Sequence, residues 1–190
     1  MESSYLPLPI KAILLIILIN QSNIAKSQPI NDTQFIKTTC QSTPYPSLCL
    51  SSLSADAATI HGSYRLMTIA ALTVALTRTR SASSVIQSLA KSNVLTPREG
   101  YVVSDCIEEF GDSIEELKMA IVELKDNDKM RFEIEDIRTW VSAALTDDDT
   151  CMDGFVGDTM NDSVKESMKK LVVDIVQLTS IALSLVSLLK

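Results

Sequence analysis

Four cysteines, one histidine and a run of three aspartates are the residues of this chain with chemistry to offer. His61, the sole histidine, has no ligand partner four residues on. Ala58 stands where a Glu-x-x-His metal pattern needs a glutamate. There is no Gly-x-Ser-x-Gly elbow, no phosphate loop and no His-Glu-x-x-His. Asp149 to Met160 follow a calcium loop at Asp149, Asp153 and Gly154. Cys151 at its third position and Met160 at its twelfth break the pattern. Paired carboxylates are plentiful, but on helices such pairs are usually solvated faces. Without a base, a nucleophile or a metal set, the sequence points away from an enzyme and implies no cofactor. The cysteines then matter as structure, and the polar residues beside Cys106 and Cys151 are the candidates for a working surface.

The N-terminus sets the compartment in which those cysteines act. Lys11 precedes the apolar run Ala12 to Ile19, too short to span a bilayer. Ala25 and Ser27 follow with one residue between them, which predicts a secretory signal peptide over residues 1–27. Its removal takes away Glu2, Lys11 and Lys26 and moves the net charge from -7 to -8. Such an acidic chain is a poor partner for nucleic acid or an anionic membrane, because phosphate contacts need Lys and Arg. In an oxidising compartment an even set of four cysteines predicts two disulfides. The sequons at Asn31 and Asn161 are candidate glycosylation sites.

The elements that must position these residues are helical. The 190 residues suffice for one domain with a real core. Few glycines, few aromatics and abundant Ala, Leu, Ile, Ser, Glu and Lys favour helix. Residues 28–62 read as an N-terminal helical hairpin, with pieces at 33–39 and 47–58. Between them lies the turn Thr43-Pro44-Tyr45-Pro46.

Residues 63–190 read as four long helices. The first, 63–92, has a stripe of Ile69, Leu72, Leu76, Ile86 and Ala90 that Thr79 and Ser83 interrupt. The second, 97–126, opens on a capping box of Thr96 and Glu99 with Pro97 at the first position. Val103, Ile107, Phe110, Ile114, Leu117, Ile121 and Leu124 give it an unbroken stripe. The third, 131–157, uses Ile134, Ile137, Val141, Ala144, Cys151 and Phe155. Asp148 also falls on this stripe, where a carboxylate would be costly if buried. The helix is therefore expected to be irregular near Asp147-Asp148-Asp149, or that level to lie near the bundle's open end. The fourth, 164–189, carries Val164, Met168, Leu171, Ile175, Leu178, Ala182, Leu185 and Leu189. Asp174 and Gln177 argue against reading its apolar tail as a membrane anchor.

Four amphipathic helices with short connections pack as an all-α, up-down-up-down bundle. That architecture tests the cysteine pairing. Cys106 precedes the turn near 127–130 by as much chain as Cys151 follows it, so both stand about 30 Å from that turn. A Cys106–Cys151 bridge fits without distortion and leaves Cys40 for Cys49.

The chain also resembles a known family. The residues that carry the resemblance are Phe35-Ile36, Cys40 and Cys49 around Tyr45-Pro46, and Asp105-Cys106-Ile107-Glu108. They continue with Trp140-Val141-Ser142-Ala143-Ala144-Leu145-Thr146 and Thr150-Cys151-Met152-Asp153-Gly154-Phe155. Together they resemble the plant invertase and pectin methylesterase inhibitor domain over about residues 30–190. The resemblance implies a four-helix bundle with an N-terminal hairpin, the two disulfides above, no enzymatic activity and a place in the plant cell wall space. The Ser-Ala-Ala-Leu-Thr wording resembles the pectin methylesterase branch. Invertase inhibitors commonly carry Pro-Lys-Phe, and no proline here is followed by lysine. An acid invertase inhibitor is the alternative reading; a non-inhibitory binding module or carrier is the second.

In the pectin methylesterase branch the bundle covers the enzyme's pectin-binding cleft in a 1:1 complex. Carried over by motif, the contacts are Glu108, Asp112, Thr150 and Asp153. Carboxylates buried against a cleft made for a polyuronide take up protons, so binding is expected to be favoured at acidic pH. Two departures stand out: Phe110 where tyrosine is frequent, and Ile181 where asparagine is common. The first is expected to remove a hydroxyl near the second-helix surface and the second a polar group from the bundle.

Overall fold

The computed structural model of the protein describes residues 32–92, 95–126, 130–155 and 161–190. The expected signal segment 1–27 and the sequon at Asn31 lie outside these residues. The described residues form helices and no strand.

Local signals explain where each helix starts and stops. The first helix, α1 (Asp32–Cys40), ends as the Thr43 hydroxyl donates to the Cys40 carbonyl at 2.8 Å. Pro46 opens α2 (Pro46–Leu53), where its missing N–H costs nothing. A 3-10 turn (Ser54–Asp56) leads into the short α3 (Ala57–Ile60). His61 and Gly62, at φ 47° and 66°, adopt the left-handed conformation that stops it. Ser63 then caps α4 (Tyr64–Ala90), accepting from the Leu66 N–H. The capping box predicted at Thr96 and Glu99 opens α5 (Pro97–Lys125), with Pro97 in its first turn. Next come α6 (Met130–Gly154) and α7 (Asp162–Val186). Asn161 caps α7 by accepting from the Ser163 N–H at 3.0 Å.

Helices α4 to α7 form the up-down-up-down bundle. Each packs on its neighbours in sequence, and α7 closes the ring against α4. At the foot of the bundle Arg65 donates through Nε to the Leu124 carbonyl at 2.6 Å, meeting carbonyls that α5 leaves open at its end. The hairpin α1–α3 covers the same end, burying Phe35, Ile36, Leu53 and Ile60 against the lower core. The Phe35 and Tyr64 rings meet there at 5.1 Å.

The core divides into two apolar clusters, and the division corrects two expectations. The lower cluster joins the hairpin to Leu72, Leu117, Val141 and Leu185; the upper one holds Ile86, Val103, Phe110, Phe155 and Met168. Thr79 and Ser83 were expected to interrupt the α4 stripe, yet both are buried in it, whereas Ala90 is exposed. Thr79 returns its hydroxyl to the Ala75 carbonyl at 3.1 Å, so it enters the core without an unmet donor. Nor is α6 irregular at its aspartates. It runs unbroken through Asp148, which is fully buried and accepts two hydroxyl hydrogen bonds.

The Cys106–Cys151 bridge lies where the helix heights place it, and Cys40 pairs with the remaining Cys49. Cys40 and Cys49 join α1 to α2 with a Cα–Cα distance of 5.5 Å. Cys106 and Cys151 join α5 to α6 at 4.5 Å, well above the hairpin end.

Candidate functional site

The Cys106–Cys151 bridge draws α5 and α6 together, and a groove opens beside it. Its volume is about 400 Å³, and its walls include Val102, Asp105, Glu108, Glu109, Thr150 and Gly154. Side chains at i, i+3 and i+4 share a helix face, which brings Asp105, Glu108 and Glu109 to one side of α5. Thr150 faces them from α6, its hydroxyl returned to the Thr146 carbonyl at 2.8 Å. Gly154 makes the close approach possible. A Cβ there would stand 2.9 Å from Val102 Cγ1, inside contact distance.

Of the four contact residues expected from the sequence, Glu108 and Thr150 line this groove together. Asp112 and Asp153 are exposed on the same two helices but do not line it. Asn161 is exposed at the start of α7. One of the two departures sits elsewhere than expected. Phe110 is fully buried in the upper cluster, not near the surface, and Ile181 is buried in the lower one. Neither can touch a partner; each acts through packing.

Three carboxyl groups of this face escaped the sequence reading as candidates: Glu109, Glu116 and Asp147. Glu109 is half-buried in the groove wall. Loss of water pushes its pKa up, and Asp147, Asp112, Glu108 and Asp105 add to the push. One turn or two below, Glu116 on α5 and Asp147 on α6 face each other. One oxygen of each, Oε2 and Oδ2, is closed off from solvent and meets no donor among the described residues. A proton held between the two carboxyl groups would supply that donor. Burial first, and then their mutual charge, hold Glu116 on the protonated side. Asp147 is also raised, chiefly by burial. Their positions off the apolar stripe gave no hint of this, because burial here comes from the neighbouring helix.

The charge of the whole molecule is concentrated on this side. Helices α5 and α6 carry eight and seven carboxylates against three and two cations; α4 carries three arginines and no carboxylate. A larger groove of about 530 Å³ lies on α4 and α7, lined by Arg78, Lys170, Leu171 and Asp174. There Arg78 already pairs with Asp174 at 3.7 Å, and none of the four contact residues expected from the sequence lines it. Among the described residues no group of side chains is arranged to hold a metal ion. The α5–α6 groove can do something simpler: present carboxylates, Glu109 with a raised pKa among them, and a hydroxyl on a rigid, cross-linked surface.

Residues 34–185 match the family model described as plant invertase/pectin methylesterase inhibitor. The chain is 41% identical over 168 residues to the "21 kDa protein" of Daucus carota, covering 86% of each. It is 38% identical over 183 residues to "Pectinesterase inhibitor 9" of Arabidopsis thaliana, covering 92% of this chain and 90% of that one. Among solved structures it resembles a mutant form of a pectin methylesterase inhibitor from Arabidopsis. That likeness has a TM-score of 0.67 at 25% identity and covers 82% of this chain and 97% of the other.

Proposed function

Because the chain belongs to the plant invertase/pectin methylesterase inhibitor family, we propose that it inhibits pectin methylesterase by laying its α5–α6 face across the enzyme's pectin-binding cleft. It acts as an inhibitor and not as an enzyme. The observation that carries the proposed site is the groove beside Cys106–Cys151, where Glu108, Glu109 and Thr150 converge on a surface stiffened by a disulfide. A cleft that accepts a polymer of galacturonates tolerates carboxylates, so an acidic face can imitate the ligand. Asp112 and Asp153 extend the same face beyond the groove.

The complex is 1:1 and tighter at acidic pH. Glu109 and the Glu116–Asp147 pair already hold protons more firmly than free carboxyls do. Contact with an enzyme carboxylate strengthens that hold, and proton uptake on binding makes affinity fall toward neutral pH. The protein is secreted to the cell wall space, with cleavage after Ser27 and a glycan on Asn161. A glycan bonded through Nδ2 leaves Asn161 Oδ1 free to cap α7. The two disulfides suit that compartment. No helix of the described residues is long and apolar enough to cross a membrane.

The test is direct. The purified mature protein should inhibit a plant pectin methylesterase and leave an acid invertase untouched; the reverse result assigns it to the invertase branch. Inhibition of neither across several isoforms favours the binding-module or carrier reading. Within the first outcome, Thr150→Ala should weaken inhibition at every pH, and Glu108→Gln should flatten its dependence on pH. Glu123→Gln, far down α5, should do neither. The unmodified affinity and pH profile in all three variants would place the contact elsewhere on the molecule.

A further inference from the structure

The two apolar clusters meet at a polar layer to which each long helix contributes one residue. Thr79 on α4 sits between Leu76 and Ala82, Ser113 on α5 between Phe110 and Leu117, and Asp148 on α6 between Ala144 and Cys151. Thr179 on α7 lies between Ile175 and Ile181. All four are fully buried. Ser113 Oγ donates to Asp148 Oδ1 at 2.9 Å, and Thr179 Oγ1 donates to Oδ2 at 2.8 Å. One carboxyl group thus spans three helices in the middle of an apolar core.

A carboxyl group in that position is costly as an anion. An apolar bundle without the layer would avoid the cost, since hydrophobic replacements of buried polar groups are often neutral or stabilising. What the group adds is register: a carboxyl hydrogen-bonded to two other helices holds α6 at one height against α5 and α7. We propose that Asp148 is the positioning residue of the α5–α6 face, a proton-operated latch that fixes α6 against α5 and α7 while it is neutral and loosens as it ionises. The functional half of this rests on the inhibitor reading above; the latch itself does not.

The surroundings give the latch its sign. Burial pushes the Asp148 pKa up to about 7, the hydroxyls of Thr179 and Ser113 oppose the rise, and the charges of Asp147 and Asp149 add to it. From α5 the carboxyl of Glu116 is close enough to feel its charge; the layer residue of α4, Thr79, does not titrate. The groups acting on Asp148 are therefore hydroxyls and carboxyls, and none neutralises the anion. When the acid is protonated, one hydroxyl accepts from it while the other still donates, so both links survive. In the unfolded chain the group titrates near 3.8, in the folded one about three units higher. Between those values the folded state holds a proton that the unfolded state has lost. The stability contribution is complete below the lower value and fades as pH rises through the upper one.

Equilibrium unfolding of the full mature protein, followed by circular dichroism from pH 4 to pH 8, tests the latch. The unmodified protein should lose stability as pH rises above about 5. Asp148→Asn keeps two polar partners without a charge, and should remove a hundred- to thousandfold of the rise in the unfolding constant. Should that variant fail to fold, the carbon-13 signal of the Asp148 carboxyl in the unmodified protein gives the answer. A titration midpoint near 7 supports the latch, and a midpoint below 5 overturns it. An Asp148→Asn protein with the original pH slope overturns it as well. The positioning role is read in inhibition of a pectin methylesterase. The Asp148→Asn curve should shift toward neutral pH, and an unmoved curve refutes that role. If the unmodified protein inhibits at no pH, the inhibitor reading falls, while the unfolding measurement still decides the latch.

Discussion

Gly154 and Gly111 face opposite circumstances on the two helices of the proposed contact face. A Cβ on Gly154 would meet Val102 Cγ1 at 2.9 Å, and valine is stiff at that torsion, so α5 and α6 would have to part. A Cβ on Gly111 meets nothing within 4 Å. We expect Gly154→Ala to cost about 1–2 kcal/mol in chemical denaturation, crowding outweighing the gain in helix propensity. It should also weaken inhibition, since the spacing it disturbs is that of the groove. Gly111→Ala should raise stability by about 0.5–1 kcal/mol with no change in the core. Shifts of the same sign in both variants would mean that the close approach at Gly154 is not under strain. Individual residues were unevenly legible in the sequence. The reactive types were readable, and so was the motif around Cys151. Which carboxyl groups would lose water was not: Glu109 and Glu116 look like any solvated helix charge until α6 covers them. Asp148 gave a signal, its place on an apolar stripe. The sequence could not show that Ser113 and Thr179 on two other helices would supply its donors.

Between elements the two disulfides do unequal work. Cys40–Cys49 closes a loop of 9 residues and Cys106–Cys151 one of 45. In the chain-entropy model these stabilise by about 2.5 and about 4 kcal/mol. The smaller bridge, however, holds a hairpin with little apolar surface of its own, while the larger joins helices already packed along their length. Removing the pair Cys106 and Cys151 by alanine should therefore lower global stability more, by about 1.5 kcal/mol. Removing Cys40 and Cys49 should instead raise amide exchange locally, within α1 and α2. Exchange in which the first pair loosens only its own neighbourhood, and the second the whole bundle, would reverse this assignment. Helix starts were the most legible part of the fold, because Thr96, Pro97 and Glu99 act through the next few residues alone. The heart of α4 was the least. Its stripe passes through Thr79 and Ser83, which a hydrophobic pattern scores as breaks, although a hydroxyl returned to the preceding turn is at home in a core.

For the molecule as a whole, stability should peak at mildly acidic pH, because its unusual carboxyl groups pull in opposite directions. Glu99 joins the starts of two helices. Its Oε1 accepts from the Asn161 N–H that leads into α7, at 2.7 Å, and its Oε2 accepts from the Thr96 N–H at 2.7 Å and the Thr96 hydroxyl at 2.8 Å. The Asn161 N–H first, and then Thr96, hold its pKa below the ordinary carboxylate value. A lowered pKa means stability present above about pH 4.5 and lost as the pH falls through the folded value. Glu109, Glu116, Asp147 and Asp148 are all raised, so their contribution is present at acidic pH and fades toward neutrality. The crowding of carboxylates on α5 and α6 steepens that second limb, since each ionisation adds to a repulsion already there. Thermal unfolding between pH 3 and pH 8 should therefore trace a dome with its top near pH 5. Glu99→Gln should lower the dome and flatten its acid limb, because the neutral amide keeps no charge-assisted bond to lose. Glu116→Gln should raise the neutral limb, because the amide offers Asp147 a donor without borrowing a proton. A melting temperature that climbs from pH 5 to pH 7.5 in the unmodified protein would show that the raised carboxyls do not govern its stability. A Glu116→Gln protein that loses stability at pH 7.5 would show that the pair across α5 and α6 is held by charge and not by a shared proton.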